Sequence, residues 1–219
     1  MKRTPALLSI FFILLAMSLA CSGPQMISAA QNTPQPGAVL LQDDFSDEDS
    51  GWSTWEDERS RVAYQDGGLR IRVGETQYDY WSTAGERFFD TRITVEAAKM
   101  GGPDDNDFGI LCRYKDPDNF YAFLISSDGY AGILKVKDGE YNLISGENMD
   151  YFEAIQQGGA VNRLEARCQS FELSLMANGE QLLTAEDFDF MSGEVGVIAG
   201  SYDQPGVDIF FDNFVVYNP

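Results

Sequence analysis

The sequence predicts an all-β domain, an antiparallel sandwich or barrel, over residues 39–219. Three observations carry this. Short runs alternate apolar and polar residues with period two, turn dipeptides recur about every ten residues, and no long stretch has helical periodicity.

After the turn pair Asp66-Gly67, GLRIRVG sets Leu69, Ile71 and Val73 on one face and Arg70 and Arg72 on the other. TRITVEAA does the same with Ile93, Val95 and Ala97. From Asp107 to Tyr141, DFGILCRY, NFYAFLISS and DGYAGILKVKDGEY read as consecutive strands of a meander, punctuated by KDPD, Asp128-Gly129 and Asp138-Gly139. NFYAFLI is apolar on both faces, with Tyr121, Phe123 and Ile125 alternating against Phe120, Ala122 and Leu124. One face must meet a second sheet; the other is covered by loops or forms a concave binding surface. FELSLMANG places Phe171, Leu173 and Leu175 together and turns at Asn178-Gly179 into EQLLTAED. Only Asp150–Gln157 has the pattern of a short helix. Gly193, Gly196 and Gly200 fall in a strand pattern, GEVGVIAG, and make no phosphate-binding loop.

Residues 1–20 read as a secretory signal: Lys2 and Arg3, an apolar run from Ala6 to Ala20, and small residues at Ser18 and Ala20. The run is shorter than the roughly 20 residues that span a bilayer. With Cys21 next, the segment resembles a bacterial lipoprotein signal, in which lipid is attached to the cysteine. It departs from that pattern at Ser18, where a larger aliphatic residue is usual. Simple cleavage after Ala20 fits the same residues. Residues 21–38 carry no charge and three prolines, the composition of a flexible linker. Secretion across the cytoplasmic membrane and display at the cell surface follow as expectations, with the lipid as the only membrane contact.

The other cysteines, Cys112 and Cys168, form an even pair in an oxidising compartment. They are expected to form a disulfide, with two buried thiols as the alternative. Cys112 shares a face with Phe108 and Ile110, and Cys168 with Leu164 and Ala166. Charge narrows the partners. The chain has 15 basic and 35 acidic residues; without Lys2 and Arg3 the basic count is 13 and the net charge near −22. Such a surface repels nucleic acid. There is no histidine, so Ser-His-Asp and Cys-His catalysis and imidazole-bound metals are excluded. Acid–base chemistry would fall to carboxylates, tyrosines or lysines.

The succession DDFSDEDSGW, YQDGGLRIRV, FGILCRYKDPDNFYAFLISSDGYAGILKVKDGEY, NRLEARCQSFELSLMANGEQL and GEVGVIAGSYDQPGVDIFFDNFVVY resembles the concanavalin A-like lectin/glucanase superfamily, in particular bacterial 3-keto-disaccharide hydrolase-like and laminin-G-like domains. The resemblance covers nearly all of residues 40–217 and implies a two-sheet antiparallel jelly roll. It is weak for function, since the superfamily holds lectins, glycanases and modules of other roles. Its glucanases carry carboxylates two residues apart on one strand. The nearest string here, Glu147, Asp150 and Glu153, is spaced by three and would alternate faces of a strand.

Sugar binding calls for aromatic platforms, and the candidates are Trp52, Trp55, Tyr80, Trp81 and Tyr121. Asp104, Asp105 and Asp107 cluster before a strand and supply the hard oxygens that suit calcium, although aspartate is equally the residue of turns. The expectation is a non-catalytic, surface-displayed domain whose partner is a glycan. A carboxylate-dependent glycoside hydrolase and a protein–protein adhesion module, with a surface protein as partner, are the alternatives. Oligomeric state is not legible. A palmitate analogue fed to expressing cells should label the wild-type chain and not Cys21→Ser; an unlabelled wild type, or label persisting in the variant, removes the lipid anchor.

Overall fold

The structure, a computed structural model, describes residues 34–219. The signal segment, Cys21 and most of the linker lie outside the described residues. Residues 34–38, expected in the linker, are tied to the C-terminal end of the chain: Gly37 N–H donates to Asn218 O at 2.7 Å, and Asn218 Nδ2 donates to Pro34 O at 2.8 Å.

Sixteen strands follow. They are β1 (Val39–Asp43), β2 (Trp55–Glu56), β3 (Arg61–Gln65), β4 (Gly68–Val73), β5 (Tyr78–Phe88), β6 (Thr91–Gly101), β7 (Asn106–Asp116) and β8 (Asn119–Ile125), then β9 (Tyr130–Lys137), β10 (Glu140–Leu143), β11 (Asp150–Tyr151), β12 (Asn162–Gln169), β13 (Glu172–Ala177), β14 (Glu180–Glu186), β15 (Gly193–Ser201) and β16 (Val207–Tyr217). They build two antiparallel sheets. One has nine strands in the order β14-β13-β12-β6-β16-β4-β3-β2, with β1 also on β16; the other has seven in the order β10-β9-β8-β7-β15-β5, with β11 also on β9. The expected sandwich is therefore the fold, and the meander is β7-β8-β9.

The hairpins form where the dipeptides placed them. Asp66-Gly67, Asp138-Gly139 and Asn178-Gly179 each have both residues at positive φ, between 53° and 88°, as a two-residue hairpin turn requires. At Asp128-Gly129 only the glycine is left-handed, with φ 101°. There the Ser126 hydroxyl accepts the Tyr130 N–H at 2.9 Å and holds a longer loop.

The expected helix at Asp150–Gln157 does not form. Its backbone groups are taken elsewhere: Phe152 N–H donates to Gly129 O at 2.9 Å. The buried Asn162 accepts the Gln156 N–H and donates to the Gln156 carbonyl, both at 2.8 Å. A helix would have to give up these bonds. Phe171 also departs from its expected face; it sits in the β12–β13 turn and is exposed, while Leu173 and Leu175 are buried.

The main core fills the space between the sheets. Leu69, Ile71, Val73, Ile93, Val95 and Ala97 enter from the nine-stranded sheet and Phe108, Ile110, Tyr121, Phe123 and Ile125 from the seven-stranded one. Cys112 on β7 and Cys168 on β12 join across this core as a disulfide, 56 residues apart in sequence, with Cα atoms 6.8 Å apart. A second buried cluster lies on the other face of the seven-stranded sheet: Leu111, Phe120, Ala122, Leu124, Val136 and Ile198, flanked by Trp81, Tyr114, Leu134 and Met149. This sheet is thus buried on both sides over β7, β8 and β15, as the two apolar faces of NFYAFLI demand.

Closing a loop of this length removes enough unfolded-chain entropy to be worth about 3–4 kcal/mol. The Cys112→Ser/Cys168→Ser double variant should lose about that much in urea unfolding and become insensitive to reductant. Equal stability of the wild type with and without reductant would contradict the expectation.

Candidate functional site: an aromatic cleft with a buried carboxylate pair

The outer face of the seven-stranded sheet carries a cleft of about 700 Å³. Pairing register and the period of two decide what lines it. In one cross-strand row, Gly200 on β15 stands between Asp79 on β5 and Asp107 on β7. In the next row, Trp81, Ile198, Gly109, Leu124 and Gly132 succeed one another across five strands. Leu134 and Leu143 follow one row further along. Tyr78, Tyr141, Met149 and Tyr202 complete the walls, with Asp118 also on the lining. The floor is apolar, and glycines replace side chains along it.

Gly200 fixes the geometry of the carboxylates. A Cβ there would overlap Oδ1 of Asp79 and Oδ1 of Asp107 at once, so the two oxygens converge over one point of the sheet. Asp107 is only 6 % exposed, and its buried Oδ1 has no hydrogen-bond partner. Burial pushes the Asp79 carboxyl well above the usual carboxylate range, opposed by the Tyr141 hydroxyl. Burial, and then the Asp79 charge, do the same to Asp107, opposed by the Tyr202 hydroxyl. The tyrosines respond in kind. Burial and the nearby Asp79 charge push Tyr141 up to about 12, and burial followed by the Asp107 charge raises Tyr202.

The structure divides the expected site residues. Trp81 lines the cleft. Trp55 and Tyr80, with ring centroids 4.5 Å apart, line an adjoining cavity of about 290 Å³ that shares the Trp81 wall. Trp52 does not belong to a surface site. It is 5 % exposed, its ring lies between Phe45 at 4.9 Å and Phe214 at 4.8 Å, and its indole N–H donates to Asp43 at 2.9 Å. Tyr121 is likewise core. It is on the inner face of β8, and its hydroxyl donates to Asp187 Oδ1 at 2.6 Å and accepts the Phe190 N–H at 3.1 Å.

The calcium set is not assembled. Asp104 pairs with Lys99, Asp105 is exposed, and Asp107 turns into the cleft. Among the described residues no three His, Cys, Asp or Glu side chains converge on one point. Glu147, Asp150 and Glu153 lie exposed around β11. Asp79, Tyr141, Gly200 and Tyr202 were not anticipated. For Asp79 a signal exists: it lies two residues before Trp81, so both share a strand face.

A second cavity, about 730 Å³, lies over β12–β14 on the nine-stranded sheet. Its lining includes Arg167, Gln169, Glu172, Ser174, Gln181 and Thr184, and no aromatic ring. The absence of rings favours the cleft as the site.

No family model and no curated protein matches this sequence. Solved structures do share its architecture. The carbohydrate-binding module CBM66 from Bacillus subtilis superposes with a TM-score of 0.62 at 15% identity, over 77% of this chain and 96% of that one. A protein of unknown function with a galectin-like fold, also from Bacillus subtilis, gives 0.63 at 12% identity, over 84% and 97%. The β-glucanase of Bacillus licheniformis gives 0.58 at 13% identity, over 84% and 100%. The shared fold is a two-sheet antiparallel jelly roll. At these identities the likeness reaches the architecture and stops short of the ligand.

The raised carboxyls make stability depend on pH with a definite sign. Between about pH 4, the ordinary carboxylate range, and about 7, the folded pair holds protons that the unfolded chain has released. The native state binds more protons, so this contribution to stability falls as pH rises through that window and is recovered on acidification. Asp107→Asn removes the buried charge. It should be more stable than the wild type at pH 7.5, by on the order of 2 kcal/mol, with the advantage shrinking toward pH 4. Denaturant unfolding of both proteins across this range checks it; a constant difference contradicts the assignment.

Proposed function

We propose that this chain is a non-catalytic carbohydrate-binding domain, presented at a bacterial cell surface by lipid on Cys21. The observation that carries the binding reading is the cleft: Trp81, Tyr78, Tyr141 and Tyr202 around an apolar, glycine-hollowed floor, with carboxylates at one end. Pyranose rings have apolar faces that pack on aromatic rings, and hydroxyl edges that need a few well-placed polar partners. The volume is within the range of small-molecule sites. A fold shared with a carbohydrate-binding module and a β-glucanase is consistent with this use of it.

A second reading rests on one specific observation. Two carboxyls with raised proton affinity in a cleft are the equipment of a glycoside hydrolase. Asp79 and Asp107 stand on different strands, on either side of β15, whereas the glucanases of this superfamily carry theirs on one strand. Binding without hydrolysis is therefore the favoured function.

A glycan array followed by calorimetry tests it. At least one glycan should bind, Trp81→Ala should weaken it about tenfold or more, and no reducing ends should appear on long incubation. Trp52→Ala should instead cost about 3–5 kcal/mol of stability as a core truncation. Binding unaffected by Trp81→Ala, or the absence of any bound glycan, overturns the reading. Released sugar that disappears in Asp79→Asn would establish the hydrolase.

A further inference from the structure

We infer that the carboxylate end of the cleft takes a cationic amine, the ammonium of a free-amino sugar unit; this rests on the carbohydrate reading above and names its ligand class. A buried acceptor without a partner costs about 1–3 kcal/mol, and more when charged, yet Asp107 Oδ1 is such an acceptor. Asp79 Oδ1 faces it over Gly200, adding like-charge repulsion. Among the described residues no Lys or Arg forms an ion pair with either acid.

A cation between the two oxygens satisfies both. Calcium would need six to eight oxygens in roughly spherical array, and no third acidic side chain joins the pair. An ammonium needs fewer. It has three N–H donors, which suit the two carboxylate oxygens and one tyrosine hydroxyl. The rings of Tyr78, Tyr141, Tyr202 and Trp81 line the same cleft, and aromatic faces attract a desolvated cation. A chain of net charge −20 adds a field that draws cations toward it. A neutral glycan leaves Asp107 Oδ1 without a charge partner, so the arrangement discriminates against it.

The competing explanation is that the two carboxyls share a proton and bind no cation. Calorimetry on the mature chain separates them, using four probes: a β-1,4-linked glucosamine tetramer, its N-acetylated counterpart, cellotetraose and butylammonium. The titrations are run in about 0.3 M sodium chloride, so that the general acidity of the surface is screened. The glucosamine tetramer should bind about tenfold more tightly than either neutral tetramer, the scale of a desolvated charge-assisted contact. Asp79→Asn and Asp107→Asn, with unchanged circular dichroism, should each bring its affinity down to that of the neutral sugars. Equal affinity for all three tetramers, or a preference that survives both substitutions, overturns the amine inference and leaves the carbohydrate reading standing. Binding of butylammonium with no sugar bound overturns the amino-sugar inference, and leaves a site for an amine that no sugar carries. No binding of any probe overturns both.

Discussion

The strand Asn119–Ile125 has no polar face, and much of the molecule answers to that fact. Its inner residues, Tyr121, Phe123 and Ile125, meet the nine-stranded sheet, as any sandwich requires. Its outer residues, Phe120, Ala122 and Leu124, must also be shielded from water. Trp81 and Tyr114 reach over them from β5 and β7. The β10 strand and the segment to β11 bring Tyr141, Leu143 and Met149 in from the other side. The cleft is the part of this second apolar face that those side chains leave open. Fold stability and the cleft therefore draw on the same residues.

The acid pair sits where that cover ends. Two carboxyls could not be held so close in one cross-strand row if the strand between them carried a side chain; Gly200 leaves the room. Their burial opposes folding near neutral pH, and the disulfide and the two apolar clusters supply stability that offsets it. The other buried ion site is of a different kind. Arg113 donates to Phe190 O at 2.8 Å and pairs with Asp90 at 3.2 Å, closing the far end of the sandwich with its charge balanced.

Local chemistry made much of this legible in the sequence. Asp66-Gly67, Asp138-Gly139 and Asn178-Gly179 specify turns by their own backbone preferences, and the strands between them follow from alternation. The cysteine pairing was readable because count and face parity agreed. Trp52, in the loop before β2, and Trp81, on β5, show where the reading stops: in a loop no period says which way a ring turns. Period two says which residues share a face, but not whether that face looks into the core or across a cleft. Tyr121 failed for the same reason, on a strand whose two faces look alike. Asp79 and Asp107 are brought together only through β15, whose Gly200 lies far along the chain from either. The segment after Asp150 followed its long-range partners, Gly129 and Asn162, over its own helical pattern.

The strap at the chain entrance has a mechanical meaning. Val39 pairs with Tyr217, and Tyr217 with Arg92 at the start of β6. That is the end of the sandwich reached by the far end of β5, remote from Tyr78. A pull applied at Pro34 along the axis of β1 meets the β1–β16 ladder lengthwise. It loads the β1–β16 ladder in shear, where several hydrogen bonds must rupture together, and does not peel them apart singly. The entrance strand is built to stay docked under such a load.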